Sequence, residues 1–434
     1  SCTIFRFIIL NKNVSRVLNG LKGEIVIPSD KSISHRAVMF SSLSEGKNII
    51  KNFSKGADPK TTLELFKQLG INIKYLDETT LEICSQGVLK KSTKNIYSCG
   101  NSGTTMRLVS GILAGQNFSS VLTGDESLSK RPMKRIIEPL TLMGANISSI
   151  DGHAPLSIKG STLYGINYKS KLSSAQVKSC VLLAGLNAQG KTIYTEPFKS
   201  RDHTERLLKY LGANISVKEN SIEIEKSKLI AKDIEIAGDI SSATFFIVAT
   251  LIVPNSDILI KNVGINYTRS GIIDVAKKMG GNIQILNKRE ISGEEVADIK
   301  VQYTENLKGI VIEGDIIPRL IDEIPAIAVL ASQAEGETIV KNAEDLRNKE
   351  TDRISCLVSE LKKIGIDAEE KNDGFVVRKS VLKGGAELDS HNDHRLGMSF
   401  YIAGLVCKNE ILINGFEWIN ISFPEFEEML QFLI

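Results

Sequence analysis

Two short stretches of this sequence crowd acids and bases together. Asn348-KETDRI brings Lys349, Glu350, Asp352 and Arg353 into one run, and Asp389-SHNDHRLGM does the same for Asp393 and Arg395. Both stand where a polar segment gives way to an apolar one, the expected start of a helix, and acid–base pairs held there can transfer protons. Ile321-DEIPAIAVLA sets Asp322 and Glu323 ahead of a nearly uncharged helix. In that place carboxylates also complement the helix dipole and need do nothing more.

Other stretches suit anions. Pro28-SDKSISHRA follows a strand-like run and opens a helix, so Lys31, Ser32, Ser34 and Arg36 lie where backbone N–H groups and the dipole favour negative charge. In Cys99-GNSGTTMRL the glycines let backbone approach a ligand closely, while Ser102, Thr104 and Thr105 can donate hydrogen bonds. Ser129-KRPMKR is a basic loop stiffened by proline, and the planar fork of Arg131 matches a carboxylate. Ser173-SAQVKS and Ser200-RDHTER are further polar helix starts. Taken singly, each of these also reads as an ordinary cap or a solvated charge run. Gly185-LNAQGKT matches the P-loop pattern literally, but a helix precedes it and a strand follows, the reverse of what phosphate binding needs.

The elements that must position these residues repeat. Glu64-LFKQLGINI, Pro139-LTLMGANI, Arg206-LLKYLGANI, Asp274-VAKKMGGNI and Glu360-LKKIGIDA each read as an amphipathic helix, a glycine and a short apolar strand. Gly70, Gly144, Gly212, Gly280 and Gly365 fall where a helix C-cap needs positive φ. Phe426-EEMLQFLI would close the series with a sixth helix. Each period also holds a second helix and strand-like runs, as in Gly23-EIVIP, Ser34-HRAVMFSSL and Lys47-NIIKNF. Six mixed units exceed one layered core, which predicts three per domain.

Composition excludes little and confines much. A chain of 434 residues predicts more than one domain, and 54 Lys+Arg against 51 Asp+Glu leaves a net charge of +3 with no basic tract for nucleic acid or a membrane surface. Cys2, Cys84, Cys99, Cys180, Cys356 and Cys407 show no metal or redox spacing, so no metal and no cofactor is expected. Reduced thiols suggest a cytoplasmic protein. The apolar segment Ser1 to Leu10 lacks a clear cleavage site, which argues against a signal peptide, and the apolar run Phe245 to Val253 is too short to span a bilayer.

Together DKSISHR, GNSGTTMRL, KRPMKR, SSAQVKS, SRDHTE, GDISSAT, IDEIP, KETDR and NDHR occur in the order and spacing of the EPSP synthases, and the sequence resembles that family over about residues 20 to 430. The resemblance implies an α/β enolpyruvyl transferase fold, an inside-out α/β barrel of two similar domains with three β-α-β-α-β-β repeats each. It places a central domain at 30–242 and a second domain at 1–29 and 243–434, closing on ligand. It implies transfer of the enolpyruvyl group of phosphoenolpyruvate to the 5-hydroxyl of shikimate 3-phosphate, by a monomer acting on small molecules alone. Carried over by motif, Lys31, Ser32, Arg36, Ser174, Ala175, Gln176, Asp322 and Lys349 would hold shikimate 3-phosphate. Lys31, Gly103, Arg131, Gln176, Arg353 and Arg395 would hold phosphoenolpyruvate. Asp322 would accept the hydroxyl proton, and Glu350, helped by Lys31, would protonate C3.

Some positions depart from the family pattern. Ser29 replaces a common glycine, Ala175 interrupts a Ser-Ser-Gln, and Ile421 stands where one subgroup has a lysine, so the chain is more similar to the divergent bacterial subgroup. Two rivals remain at this stage: a UDP-N-acetylglucosamine enolpyruvyl transferase, whose lysine-asparagine motif is missing, and a phosphometabolite-binding protein, which would need no acid–base pair.

Overall fold

The structure, a computed structural model, describes residues 10–434; Cys2 and most of the apolar opening segment lie outside the described residues. The chain divides into two compact units. One comprises Ser29–Ala237 with Glu290–Glu294, and the other comprises the described residues up to Pro28 with Gly238–Arg289 and Glu295–Ile434.

The Ser29–Ala237 unit carries three sheets built to one plan. In the clearest, Ile96–Ser98 runs parallel to Ser119–Thr123, which pairs antiparallel with His153–Lys159 and so with Asn146–Ile150. The helix Gly103–Ala114 connects the parallel strands, and Lys134–Leu142 leads into the hairpin. Asn167–Lys169, the helix Ala175–Gly185, Thr192–Thr195, the helix His203–Tyr210 and the hairpin Ile215–Lys218/Ser221–Ile224 repeat it. The remaining sheet borrows its first strand from far along the chain: Leu229–Ile230 and Ile234–Glu235 run parallel to Ser44–Lys51.

The other unit is completed in the same way by its N-terminal residues. Lys22–Val26 lies parallel to Asp257–Gly264, and Lys12–Val14 pairs antiparallel with Ile411–Asn414. The last sheet has three strands among the described residues, Lys12–Val14 standing where a hairpin strand would be. The helix Phe426–Leu433 follows Ile411–Asn414 as the sixth of the series expected from the sequence.

All five predicted capping glycines adopt positive φ: Gly70 +85°, Gly144 +95°, Gly212 +95°, Gly280 +87° and Gly365 +98°. A side chain at these positions would strain the left-handed turn between helix and strand. In each repeat the first helix is the buried one. Ile240–Ile252 is covered along its whole length, as is Ile324–Ala331. Such helices can be apolar all round because no face meets water. Gly111 allows Gly103–Ala114 to touch Ala175–Gly185, since a Cβ there would lie 2.2 Å from the Cys180 carbonyl oxygen. Phe426 anchors the C-terminal helix among Phe245, Phe246, Tyr401, Phe416 and Phe423, meeting Tyr401 edge-on at 5.4 Å. Burying helix flanks this deeply leaves their polar N-terminal turns to carry the chemistry.

Candidate active site

In the Ser29–Ala237 unit the N-termini of the three buried helices hold the expected anion-binding residues. Asp30 caps the first by accepting from Ile33 N at 2.8 Å, which starts the helix at Lys31 and puts Lys31 and Ser32 in its first turn. Lys31 Nζ lies 2.7 Å from Asp58 Oδ2. Arg36, one turn on and buried, donates from Nε to Thr204 Oγ1 at 2.8 Å, from Nη2 to Ser179 Oγ at 3.1 Å and from Nη1 to the Ser32 carbonyl at 2.9 Å. Thr204 is buried as well.

Ser102 caps the second helix from Thr105 N, and Gly103 is its first residue. A Cβ on Gly103 would come 2.9 Å from Arg107 Nη1 and 3.3 Å from Arg131 Nη1, so this glycine marks the meeting point of two guanidinium groups. Arg107 donates to Gln176 Oε1 at 2.5 Å, and Gln176 Nε2 donates to Thr104 Oγ1 at 3.1 Å. That links the second helix to the third, which Ser174 caps from Val177 N and whose first residue is Ala175. Arg131 hydrogen-bonds Asn101 Oδ1 at 3.1 Å and has no carboxylate partner among the described residues. Beneath these groups Ser102, Thr105, Thr62 and His35 form a buried chain, His35 Nδ1 meeting Thr62 Oγ1 at 2.7 Å. Burial, with Lys31 and Arg36 adding to it, holds the His35 pKa well below its ordinary value. The ring is neutral at physiological pH.

The second unit gathers acids around arginine. Arg353 is fully buried and reaches Asp393 Oδ2 at 2.8 Å from Nε, Glu350 Oε2 at 2.6 Å from Nη2 and Asp322 Oδ1 at 3.4 Å from Nη1. Desolvation works against its charge, but Asp393, Glu350 and Asp322 outweigh that and raise its pKa, so it stays cationic throughout. Arg395 Nη2 stands 3.8 Å from Asp322 Oδ2, and Lys349 Nζ stands 3.4 Å from Asp345 Oδ2. Asp322 lies on a short 3-10 turn, Ile321–Glu323, leading into the buried helix Ile324–Ala331. Its neighbour Glu323 accepts a very short hydrogen bond from Ser241 Oγ, and Arg269 Nη2 donates to Ser241 Oγ at 2.9 Å.

A 3-10 turn ends at Asn348 and the next helix runs Ser355–Lys363. Asp352 caps its start, Oδ1 accepting from Ile354 N and Ser355 N and its carbonyl accepting from Cys356 N, so the acid–base run stands at a helix start as expected. The structure brings together Asp322, Glu350, Arg353, Asp393 and Arg395, all of them in stretches singled out from the sequence, and adds Asp58 and Arg107. Arg107 stood in a motif already singled out; Asp58 gave no local signal.

The family model of EPSP synthase (3-phosphoshikimate 1-carboxyvinyltransferase) matches residues 16–430. The chain belongs to the EPSP synthase family. It is 50% identical over 418 residues to the 3-phosphoshikimate 1-carboxyvinyltransferase of Thermodesulfovibrio yellowstonii, covering 95% of this chain and 97% of that one. It is 49% identical over 421 residues to that of Bacillus pumilus, with 95% and 97% covered. An EPSP synthase structure from Acinetobacter baumannii superimposes with a TM-score of 0.88 at 42% identity, covering 98% of each chain. An enolpyruvyl transferase from Streptomyces tendae, 16% identical with a TM-score of 0.79 over 97% of this chain and 96% of that one, shares the fold. The family assignment makes the enolpyruvyl transferase fold the correct description of the two three-repeat units.

Proposed function

We infer that this chain transfers the 1-carboxyvinyl group of phosphoenolpyruvate to the 5-hydroxyl of shikimate 3-phosphate, releasing phosphate, in the biosynthesis of aromatic amino acids. The family match across residues 16–430 carries this conclusion. Lys31, Ser32, Arg36, Ser174, Ala175, Gln176, Asp322 and Lys349 serve shikimate 3-phosphate in this reading. Lys31, Gly103, Arg131, Gln176, Arg353 and Arg395 serve phosphoenolpyruvate. What supports the division is chemistry: each substrate brings a phosphate and a carboxylate, and one charge-assisted hydrogen bond nets only about 1.5–3 kcal/mol, so several cations are required.

In the proposed mechanism Glu350, whose carboxylate lies against Arg353, protonates C3 of the enol. The 5-hydroxyl attacks C2 as Asp322 accepts its proton, forming a tetrahedral intermediate. Loss of a C3 proton then expels phosphate together with the bridging oxygen. The bond made is C2–O of the acceptor and the bond broken is C2–O of the phosphate ester. Arg131, with its guanidinium not committed to a carboxylate, suits an incoming anion. Arg353 differs, because three carboxylates surround it and it orients them as much as it attracts ligand. The thiols Cys84, Cys99, Cys180, Cys356 and Cys407 are free, which suits a cytoplasmic enzyme, and we propose that it acts as a monomer on small molecules alone.

Phosphate release tests the reading. It should require phosphoenolpyruvate and shikimate 3-phosphate together and fail when a UDP-N-acetyl sugar replaces the second. Release with the UDP-sugar, or with phosphoenolpyruvate alone, would overturn the assignment.

A further inference from the structure

Lys178 lies one turn into the helix Ala175–Gly185 with its side chain 0% exposed. Its Nζ donates to Glu196 Oε1 at 3.1 Å and to the Ser200 carbonyl at 3.2 Å, and pairs with Glu205 Oε2 at 3.1 Å. Two hydrogen bonds and a second carboxylate thus surround the ammonium. Glu196 is equally enclosed and also accepts from Ser200 N at 2.8 Å and Ser200 Oγ at 2.7 Å. Burying such a group costs several kcal/mol per ion, and an apolar side chain of similar volume would often be as stable or more so. Stability alone therefore gives no reason for a lysine here.

The geometry gives one. Lys178 is followed by Ser179, and Glu205 is preceded by Thr204. Ser179 and Thr204 share a hydrogen bond of 2.6 Å, and both accept from the Arg36 guanidinium. Two adjacent residue pairs thus face each other across the helices. One member of each pair belongs to the buried charges and the other to Arg36. Burial raises the Glu205 pKa against the pull of Lys178.

We propose that Lys178, with Glu196 and Glu205, is a positioning residue: it locks the turn from Ser200 to Thr204 so that Thr204 and Ser179 hold Arg36 in its anion-binding orientation. This rests on the reading above that Arg36 serves shikimate 3-phosphate. Three variants test it by steady-state kinetics on both substrates, with cooperative thermal unfolding as the check on folding. Lys178→Met should raise the KM for shikimate 3-phosphate about tenfold or more, as losing one oriented charge-assisted hydrogen bond would, while the KM for phosphoenolpyruvate moves far less. Thr204→Val leaves the buried charges intact and cuts only their link to Arg36, so it should reproduce that split, and it decides the matter should Lys178→Met not fold. An unchanged KM for shikimate 3-phosphate in folded Lys178→Met or in Thr204→Val, or equal rises for both substrates, overturns the proposal. Arg36→Lys distinguishes the premise: if it leaves the KM for shikimate 3-phosphate untouched, the assignment of Arg36 fails rather than the positioning role.

Discussion

Replacing Arg353 by methionine isolates the buried charge pairing of the acid-rich cluster. The guanidinium and Asp393 are 1% and 0% exposed, and they share two contacts, 2.8 Å from Nε and 3.3 Å from Nη2. Methionine fills most of the volume and carries no charge. Asp393 would retain its backbone donors, Arg395 N at 2.9 Å and Leu396 N at 3.2 Å, but would lose the paired guanidinium. Glu350 and Asp322, at 23% and 14% exposure, can turn to water and lose less. Removing one partner of a buried pair costs about 3–5 kcal/mol. For a unit of about 150–250 residues, each kcal/mol moves the melting temperature by about 2–4 °C, so a fall of about 6–20 °C is expected. Arg353→Lys should fall between, because a point charge cannot serve three carboxylates in a planar fork. Differential scanning calorimetry on the three proteins measures this directly. A melting temperature for Arg353→Met within about 2 °C of the parent would refute the claim that this ion cluster holds the loop from Lys349 to Arg353.

Three other outcomes follow from the same geometry. Asp322→Asn should keep its affinity for shikimate 3-phosphate in calorimetric titration and lose most turnover, since the amide matches the carboxylate in size but cannot accept the hydroxyl proton. Gly103→Ala displaces the tips of Arg107 and Arg131, so the KM for phosphoenolpyruvate should rise more than that for shikimate 3-phosphate; equal proportional changes would remove Gly103 from the phosphoenolpyruvate site. His35 has a depressed folded pKa, so the unfolded chain binds the extra proton first; its contribution is present above the unfolded value near 6.5 and is lost as pH falls below it, by at most about 1.4 kcal/mol per pH unit. Urea unfolding at pH 7 and pH 5 should show a smaller drop in His35→Gln than in the parent.

Local chemistry made much of this legible beforehand. Gly70, Gly144, Gly212, Gly280 and Gly365 announced themselves because a left-handed turn tolerates few other residues, and the polar starts of the buried helices showed as hydroxyls and charges before apolar runs. Pairing over long separations did not show. Nothing near Lys12–Val14 says that it will join Ile411–Asn414, or that Leu229–Ile230 will join Ser44–Lys51. Asp393 and Arg353 likewise meet although 40 residues separate them in the chain. Lys178 looked like one more charge near a helix start, and its counter-ions Glu196 and Glu205 come from a later strand end and a later helix.

The central claim is an addition to C2 followed by loss of phosphate, and the fate of one atom tests it. Phosphoenolpyruvate carrying ¹⁸O in the bridge between C2 and phosphorus is incubated with the protein and shikimate 3-phosphate, and both products are weighed by mass spectrometry. The label should leave entirely in inorganic phosphate, with an unlabelled carboxyvinyl adduct of shikimate 3-phosphate formed in equal amount. Label retained in a three-carbon product, or labelled phosphate with no adduct, would contradict it.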